Sequence, residues 1–481
     1  MKHPLVESFE RYQQDCSRRT FLQRSFAGIG GMALSQLLGA GRPNTSAALP
    51  FLQSQGGLHF PAKAKRIVHL CMAGGPSHLE SFDPKPKLDA LNGQPFPESF
   101  TAGQQLAQLQ GSKLIARRSF TKFKPWGQCG TEISEIFPHI GSIADEICVV
   151  RSMVTEQINH DPAHAFMNSG SILKGRPSMG SWLLYGLGAE SQNLPGYVVM
   201  VSRGASSDQP ISARQWSAGF LPSKFQGVQF QSKGSAVHYV GSPDGVCQST
   251  QRQVIDEIQR LNGMLREERV DPEIDTRISQ YEMAFRMQSS VPELSDMRDE
   301  PQHVLDLYGV KHAGDGSFAS NCLLARRMLE RGVRFVQLYH RGWDHHNNID
   351  KEMPAAAKLT DQASAALVKD LKQRGLLEDT LVIWGGEFGR TPMGQGSGRD
   401  HHIKAFSLWM AGAGIKPGIV HGATDELGYA SETDIVHVRD LHATLLHQFG
   451  IDHARFTTKF QGLDYKLTGV EPAKAIKAIM A

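Results

Sequence analysis

Cysteine is scarce in this chain of 481 residues: there are six, and no pair has the Cys-x-x-Cys spacing. Cys16 lies near the N-terminus, and Cys71, Cys129, Cys148, Cys247 and Cys322 are scattered along the rest. That odd remainder argues against a complete disulfide framework. Charge of one sign is also missing, with 51 basic against 48 acidic residues. The balance excludes a nucleic-acid footprint spread over the whole surface. Beyond the N-terminal region no apolar run approaches the roughly 20 residues that a membrane helix requires. There is no internal repeat and no low-complexity tract. The Gly-rich "GGPSH" lacks the Lys-Ser/Thr pair of a Walker loop and does not fit GxGxxG, so the usual nucleotide fingerprints are excluded. What remains is a chain long enough for one large α/β domain or two ordinary ones, rich in glycine (48 residues) and suited to a loop-rich enzyme.

The N-terminus carries an address. "SRRTFLQRSFAGIGGMALSQLLGAG" sets Arg18 and Arg19 ahead of a weakly apolar Gly/Ala-rich run, and it resembles a twin-arginine export signal. The run Phe26–Leu38 is too short to span a bilayer. The expectation is a signal over 1–47, cleaved near Thr45-Ser46-Ala47. The exported protein, periplasmic or extracellular, then begins near residue 48 with no stable membrane span.

Residues 48–481 read as one α/β domain. "AKRIVHLCMAGG" (64–75) has the form of a buried parallel strand ending in glycines, and "LPGYVVMVSR" (194–203) is another strand. Residues 250–300 turn Gln- and charge-rich with helical periodicity, which predicts a helical insertion interrupted at Pro272 and Pro292. Further on, "SFASNCLLARRMLERGVRFVQLYH" and "PAAAKLTDQASAALVKDLKQRGLLEDTLVIWGG" each give a helix, a glycine stop and a strand. This alternation predicts a mostly parallel sheet sandwiched by helices, with ligands gathering beyond the carboxyl ends of its strands.

Two Asp-His-His triplets fall at such ends, in "RGWDHHNNID" (341–350) and "GRDHH" (398–402). Carboxylate and neutral imidazole are the usual ligands of a divalent metal. In an extended segment residues two apart point the same way, so Asp344 pairs with His346, and Asp400 with His402. A turn at the second triplet would instead bring Asp400 and His401 inward. Glu387 follows a strand and two glycines, a position from which a carboxylate reaches a metal. In "INHDPAHAFMNSG", Asp161 and Pro162 suit the N-cap and first turn of a helix. His160 then stands just ahead of an anion-attracting helix N-terminus, with Asn159 beside it and His164 one turn on.

"HLCMAGGPSHLESFDPKP", "NHDPAHAFMNSGS", "GRPSMGSWLLYGLG", "GWDHHNN", "GGEFGRTP" and "GRDHH" together resemble the DUF1501 family of exported bacterial proteins, across residues 17 to 465. The resemblance implies an alkaline phosphatase-like core and the metal-supported sulfate and phosphate ester chemistry of the alkaline phosphatase–sulfatase superfamily. It sets His160 at the place of the nucleophilic Cys or Ser, and His164 at that of an Arg. Glu387 takes the place of a metal-binding Asp. "GGPSH" replaces the first-strand Asp ligands and leaves Ser77, His78 and Glu80 there. The usual nucleophile is therefore absent.

Two functions follow as expectations. The first is a metal-dependent hydrolase of sulfate or phosphate esters, small or on a polysaccharide. One or two divalent ions would be held by Asp344, His346, Glu387, Asp400 and His401 or His402, with Zn or Mn favoured over Ca or Mg. Asn159, Arg390 and Arg399 would bind the anion. His78 or His164 would act as general acid, and Ser77, His160 or metal-bound water would attack. The second is a catalytically degenerate module that binds an anionic glycan or a partner protein.

Overall fold

The computed structural model describes residues 51–481 apart from 105, 205–208, 234–235, 238–246, 269–271 and 313. The expected export signal (1–47) lies outside the described residues. These residues divide into a larger unit, Pro50–Pro243 with Met283–Ala481, and a smaller one containing Asp244–Glu282.

In the smaller unit, helix Gln248–Glu268 is followed by the first part of helix Pro272–Ser295. Arg252 joins Asp256 and Glu282 there at 2.5 and 2.9 Å. Pro272 starts the second helix, where its missing N–H costs nothing. Pro292 lies inside that helix and does not break it, contrary to expectation.

The larger unit is built on a mostly parallel sheet. Its strands are β1 (Arg66–Ala73), β2 (Ile147–Val154), β3 (Tyr197–Arg203), β4 (Val228–Phe230), β5 (Phe335–Arg341) and β6 (Thr380–Gly385). A hairpin, β7 (Gly389–Gln395) and β8 (Gly398–His402), stands apart from it. The sheet continues with β9 (Phe406–Ala411), β10 (Ile419–His421) and β11 (Val436–His437). The spatial order is β10-β2-β9-β6-β1-β5-β3-β4, with β11 also beside β2. Only β9 runs antiparallel to its neighbours.

Side-chain alternation along β1 shows why both faces are covered. Val68, Leu70 and Met72 join one core, shared with helices Phe318–Glu330 and Ile349–Gln373. Ile67, Cys71 and Ala73 join the other, shared with helices His160–Ser169, Met179–Leu187 and Val438–Gln448. A central strand buried on both faces reads as a continuous apolar run, as this one does. The expected α/β class, a parallel sheet between helices, is the observed one. Among the described residues no helix is long and apolar enough to cross a membrane.

Candidate metal centre

β1 lies between β5 and β6, so the chain leaves three adjacent parallel strands at one edge. Gly342-Trp343-Asp344 follows β5, Gly386-Glu387 follows β6, and Gly74-Gly75 follows β1. Gly74 has φ +124°, and a Cβ there would overlap the backbone of Trp343 and Asp344. Glycine is thus required where the Asp344 segment crosses the end of β1. The Gly74 amide donates to both oxygens of Glu387, at 3.0 and 3.2 Å.

Four imidazoles meet these two carboxylates. His160 Nδ1 lies 2.7 Å from Glu387 Oε1, and its Nε2 lies 3.2 Å from Asp344 Oδ2. His164 Nε2 stands 3.3 Å from Glu387 Oε1. His346 Nε2 and His401 Nε2 lie 3.0 and 3.2 Å from Asp344 Oδ1, and 3.0 Å from each other. The groups His160–Asp344–His401 and His160–His164–Glu387 each have ligand spacing for a metal ion. The centre is graded in depth: the His346, Asp344 and His160 side chains are 20, 17 and 14% exposed, whereas Glu387 and His164 are fully buried.

Neighbouring hydrogen bonds fix which ring nitrogens carry lone pairs. His401 Nδ1 donates to the Ile158 carbonyl at 2.7 Å. Burial lowers the His401 pKa, so the ring is neutral and Nε2 presents its lone pair to Asp344. His346 Nδ1 is bonded to Gln395 Oε1, whose amide nitrogen donates to Gln108 at 2.7 Å. His346 Nε2 is then also left facing Asp344. Three atoms rich in lone pairs therefore converge at 3.0–3.2 Å. Ligand atoms about 2.0–2.1 Å from a tetrahedral zinc stand about 3.3 Å apart, so the donor set fits a cation. His164 points the same way, because both ring nitrogens are buried without a hydrogen-bond partner.

The electrostatics match. Burial opposes ionisation of Asp344, but His160, His346, His401 and the Arg390 guanidinium hold its carboxyl far below the ordinary range. Burial likewise opposes Glu387, and His164 and His160 outweigh it, lowering the pKa to about 2. Burial lowers the pKa of His160 less than Asp344 and Glu387 raise it, leaving it at about 9; its proton supplies the positive charge between the carboxylates that a bound ion would replace.

Several expected site residues lie elsewhere. Asp400 occupies a bulge in β8, where the register shifts between Arg399 and His401. Its carboxylate accepts from the Leu109 and His401 amides, both at 2.8 Å, and does not reach the cluster. The bulge reverses the strand parity, so His401 faces Asp344 while His402 is bonded to the Tyr429 carbonyl. His78 donates to the Gly428 carbonyl at 3.0 Å, and Ser77 is bonded to Glu80. Both are buried supports of the surrounding loops.

Neither arginine presents a free edge to an anion. Arg399 is fully buried against Glu80 and the carbonyls of Thr391, Arg117 and Arg118. Arg390 is bonded to the carbonyls of Gly74, Gly75 and Arg399 and to Asp344 Oδ1 at 2.6 Å, so it orients a cluster carboxylate. The helix of His160 starts earlier than expected. Asn159 is its exposed N-cap, with no side-chain capping bond, and His160 is its first residue. Asp161 pairs with Arg214 at 2.7 Å. Sequence reasoning missed Gln395 and Phe388, whose ring packs 5.0 Å from His160 and 4.6 Å from His401. Phe388 sits inside "GGEFGR", between two residues singled out from that motif.

Solved structures with a similar chain trace include the PsFucS1 sulfatase from Pseudoalteromonas sp., 14% identical with a TM-score of 0.33, over 83% of this chain and 69% of that one. A protein in the alkaline phosphatase superfamily from Vibrio parahaemolyticus is 10% identical with a TM-score of 0.32, over 82 and 68%. The C-terminal periplasmic domain of EcEptC from Escherichia coli, in complex with Zn, is 8% identical with a TM-score of 0.36, over 85 and 88%. No curated protein matches the chain. The model of one family, "Protein of unknown function (DUF1501)", matches residues 64–480, the stretch that contains the sheet, the hairpin and every residue of the cluster, and the chain belongs to that family.

Proposed function

We propose that this protein is an exported, metal-dependent hydrolase of sulfate or phosphate esters. One observation carries the reading: Asp344 Oδ1, His346 Nε2 and His401 Nε2 converge at ligand spacing, while buried His164, with neither ring nitrogen hydrogen-bonded, lies 3.3 Å from Glu387. Asp344, His346, His401 and His160 would hold one ion, and Glu387 and His164 with His160 a second. Mixed imidazole and carboxylate donors suit Zn or Mn better than Ca or Mg. A divalent ion bound there supplies Lewis-acid stabilisation of negative charge on an ester oxygen.

The chain's own groups prepare that centre. Arg390 fixes Asp344, Gln395 and the Ile158 carbonyl set the imidazole tautomers, and the Gly74 amide orients Glu387. Phe388 packs against the rings of His160 and His401. Substrate enters from the side of His346, Asp344 and His160, the exposed members.

Purified protein is expected to contain at least one equivalent of Zn or Mn. Asp344→Ala is expected to lose that metal together with aryl-sulfate or aryl-phosphate hydrolysis. Metal-free wild-type protein, or unchanged hydrolysis by the variant, sinks the proposal. A second reading, anion binding without turnover, draws on the cluster's hydrogen-bond and ion-pair partners among the described residues, which are His, Asp, Glu, Arg and Gln side chains and backbone groups, with no hydroxyl or thiol. Stoichiometric metal with no product from either ester class would select it. Export rests on Arg18 and Arg19, and Lys at both positions is expected to retain the protein in the cytoplasm.

A further inference from the structure

The helix that starts at His160 has a second end. Ser169 and Gly170 line a cleft of about 420 Å³ that shares no residue with the metal centre. Nine residues at 1.5 Å rise separate the two ends by about 14 Å.

The cleft contains cations that the protein does not neutralise. Arg439 is paired with Glu156. The side chains of Arg176 and Lys466, both half-buried, have no hydrogen bond or ion pair with a described residue. The Arg176 guanidinium lies 4.1 Å from the Tyr465 ring centroid. Tyr465 is itself packed 5.2 Å from Phe220, which stacks on Phe460 at 4.8 Å. A guanidinium held over an aromatic ring, with no hydrogen bond of its own, has its N–H groups available to a planar or tetrahedral oxyanion. Beside it, Ile172 and Leu173 leave 44 and 58% of their surface in solvent, an apolar wall for a ring face. Glu471, the remaining carboxylate of the lining, is exposed and forms no ion pair with either cation.

We propose that this cleft is a binding site for an acidic saccharide unit. Its sulfate or carboxylate is taken by Arg176 and Lys466, and its carbon skeleton lies against Ile172 and Leu173. The ligand class rests on the anionic-ester reading of the metal centre, whereas the geometry of the cleft is independent of it. At this separation one monosaccharide cannot occupy both places, so a ligand that reaches both the cleft and the metal centre must be oligomeric.

The test is calorimetric titration of the purified protein with short dextran oligosaccharides in sulfated, carboxymethylated and uncharged forms. The charged forms are expected to bind and the uncharged form not to. Arg176→Ala and Lys466→Ala are each expected to weaken charged binding by about tenfold or more. Metal content and aryl-ester hydrolysis should match wild type, since neither residue touches the cluster. Arg176→Lys, which keeps the charge and loses the fork, gives an intermediate loss, and thermal unfolding of each variant reports whether it folds. Equal binding of charged and uncharged oligosaccharides, or wild-type affinity in folded forms of both alanine variants, overturns the proposal. Charged binding that depends on Arg176, in a protein without metal or hydrolysis, would keep the cleft and remove the hydrolase.

Discussion

Among single residues, burial separates the groups that support the site from those that compose it. Arg399 and Glu80 form a fully buried ion pair, with the remaining guanidinium protons on carbonyls. Removing one partner leaves an uncompensated buried charge, which costs about 3–5 kcal/mol. Arg399→Ala is expected to lose that much stability in urea unfolding, and a stable variant would contradict the assignment of Arg399 to structure. Gln395 makes the opposite kind of prediction. It touches His346 from the outer side, so Gln395→Leu should leave stability nearly unchanged. By freeing the His346 tautomer it should reduce metal affinity about 10- to 100-fold, measured by competition with a chromophoric chelator. The sequence showed which residue types would gather, and Asp344, His346, Glu387, His160 and His164 do meet. It did not separate Arg390 and Arg399 from anion-binding arginines, because their partners, backbone carbonyls and the carboxylates of Asp344 and Glu80, are brought beside them only by the fold or the hairpin.

Between elements, the decisive features are a crossing and a bulge. The helix–strand–glycine units around Gly332 and Gly375 were legible because periodicity and stop signals are local. The bulge at Asp400 was not, since it exists only through pairing with β7. One extra residue there exchanged the roles of His401 and His402. The place of β9, antiparallel between β2 and β6, depends likewise on long-range pairing. The crossing at Gly74 yields a paired prediction. Gly74 (φ +124°) meets the backbone of Trp343 and Asp344, whereas Gly93 (φ +79°) has nothing within 4 Å of an added Cβ. Both carry left-handed strain worth about 1 kcal/mol as alanine. Only Gly74→Ala must also push apart two segments that position Asp344 and Glu387. It is expected to cost at least about 2 kcal/mol more than Gly93→Ala in urea unfolding, and to reduce metal occupancy as well. Equal losses would show that the crossing is compliant.

For the molecule as a whole, the buried histidines set a pH limit independent of the metal centre. Burial lowers His340 to about 4, with no opposing charge. Burial also lowers His442 to about 4, against the hydrogen bond it makes to the Met167 carbonyl. Trp343 Nε1 donates to His340 Nδ1 at 3.0 Å, which only a neutral ring accepts. Below the ordinary value of 6.5 the unfolded chain takes up protons that the folded chain refuses, so stability falls as pH falls. Between pH 7 and 5 each ring held neutral removes about 2 kcal/mol, and these two together about 4 kcal/mol. A fold of ordinary stability, about 5–15 kcal/mol, is seriously weakened by that amount. Asp344 and Glu387 titrate below this window and do not contribute to it. Urea midpoints at pH 7 and 5, measured on chelator-treated protein, should therefore show a large drop. His340→Gln keeps an acceptor for Trp343 without a titrating group, and it should reduce the drop by about 2 kcal/mol. If the variant and the wild type lose stability in parallel, His340 is not held neutral by its burial, and acid sensitivity arises elsewhere in the chain.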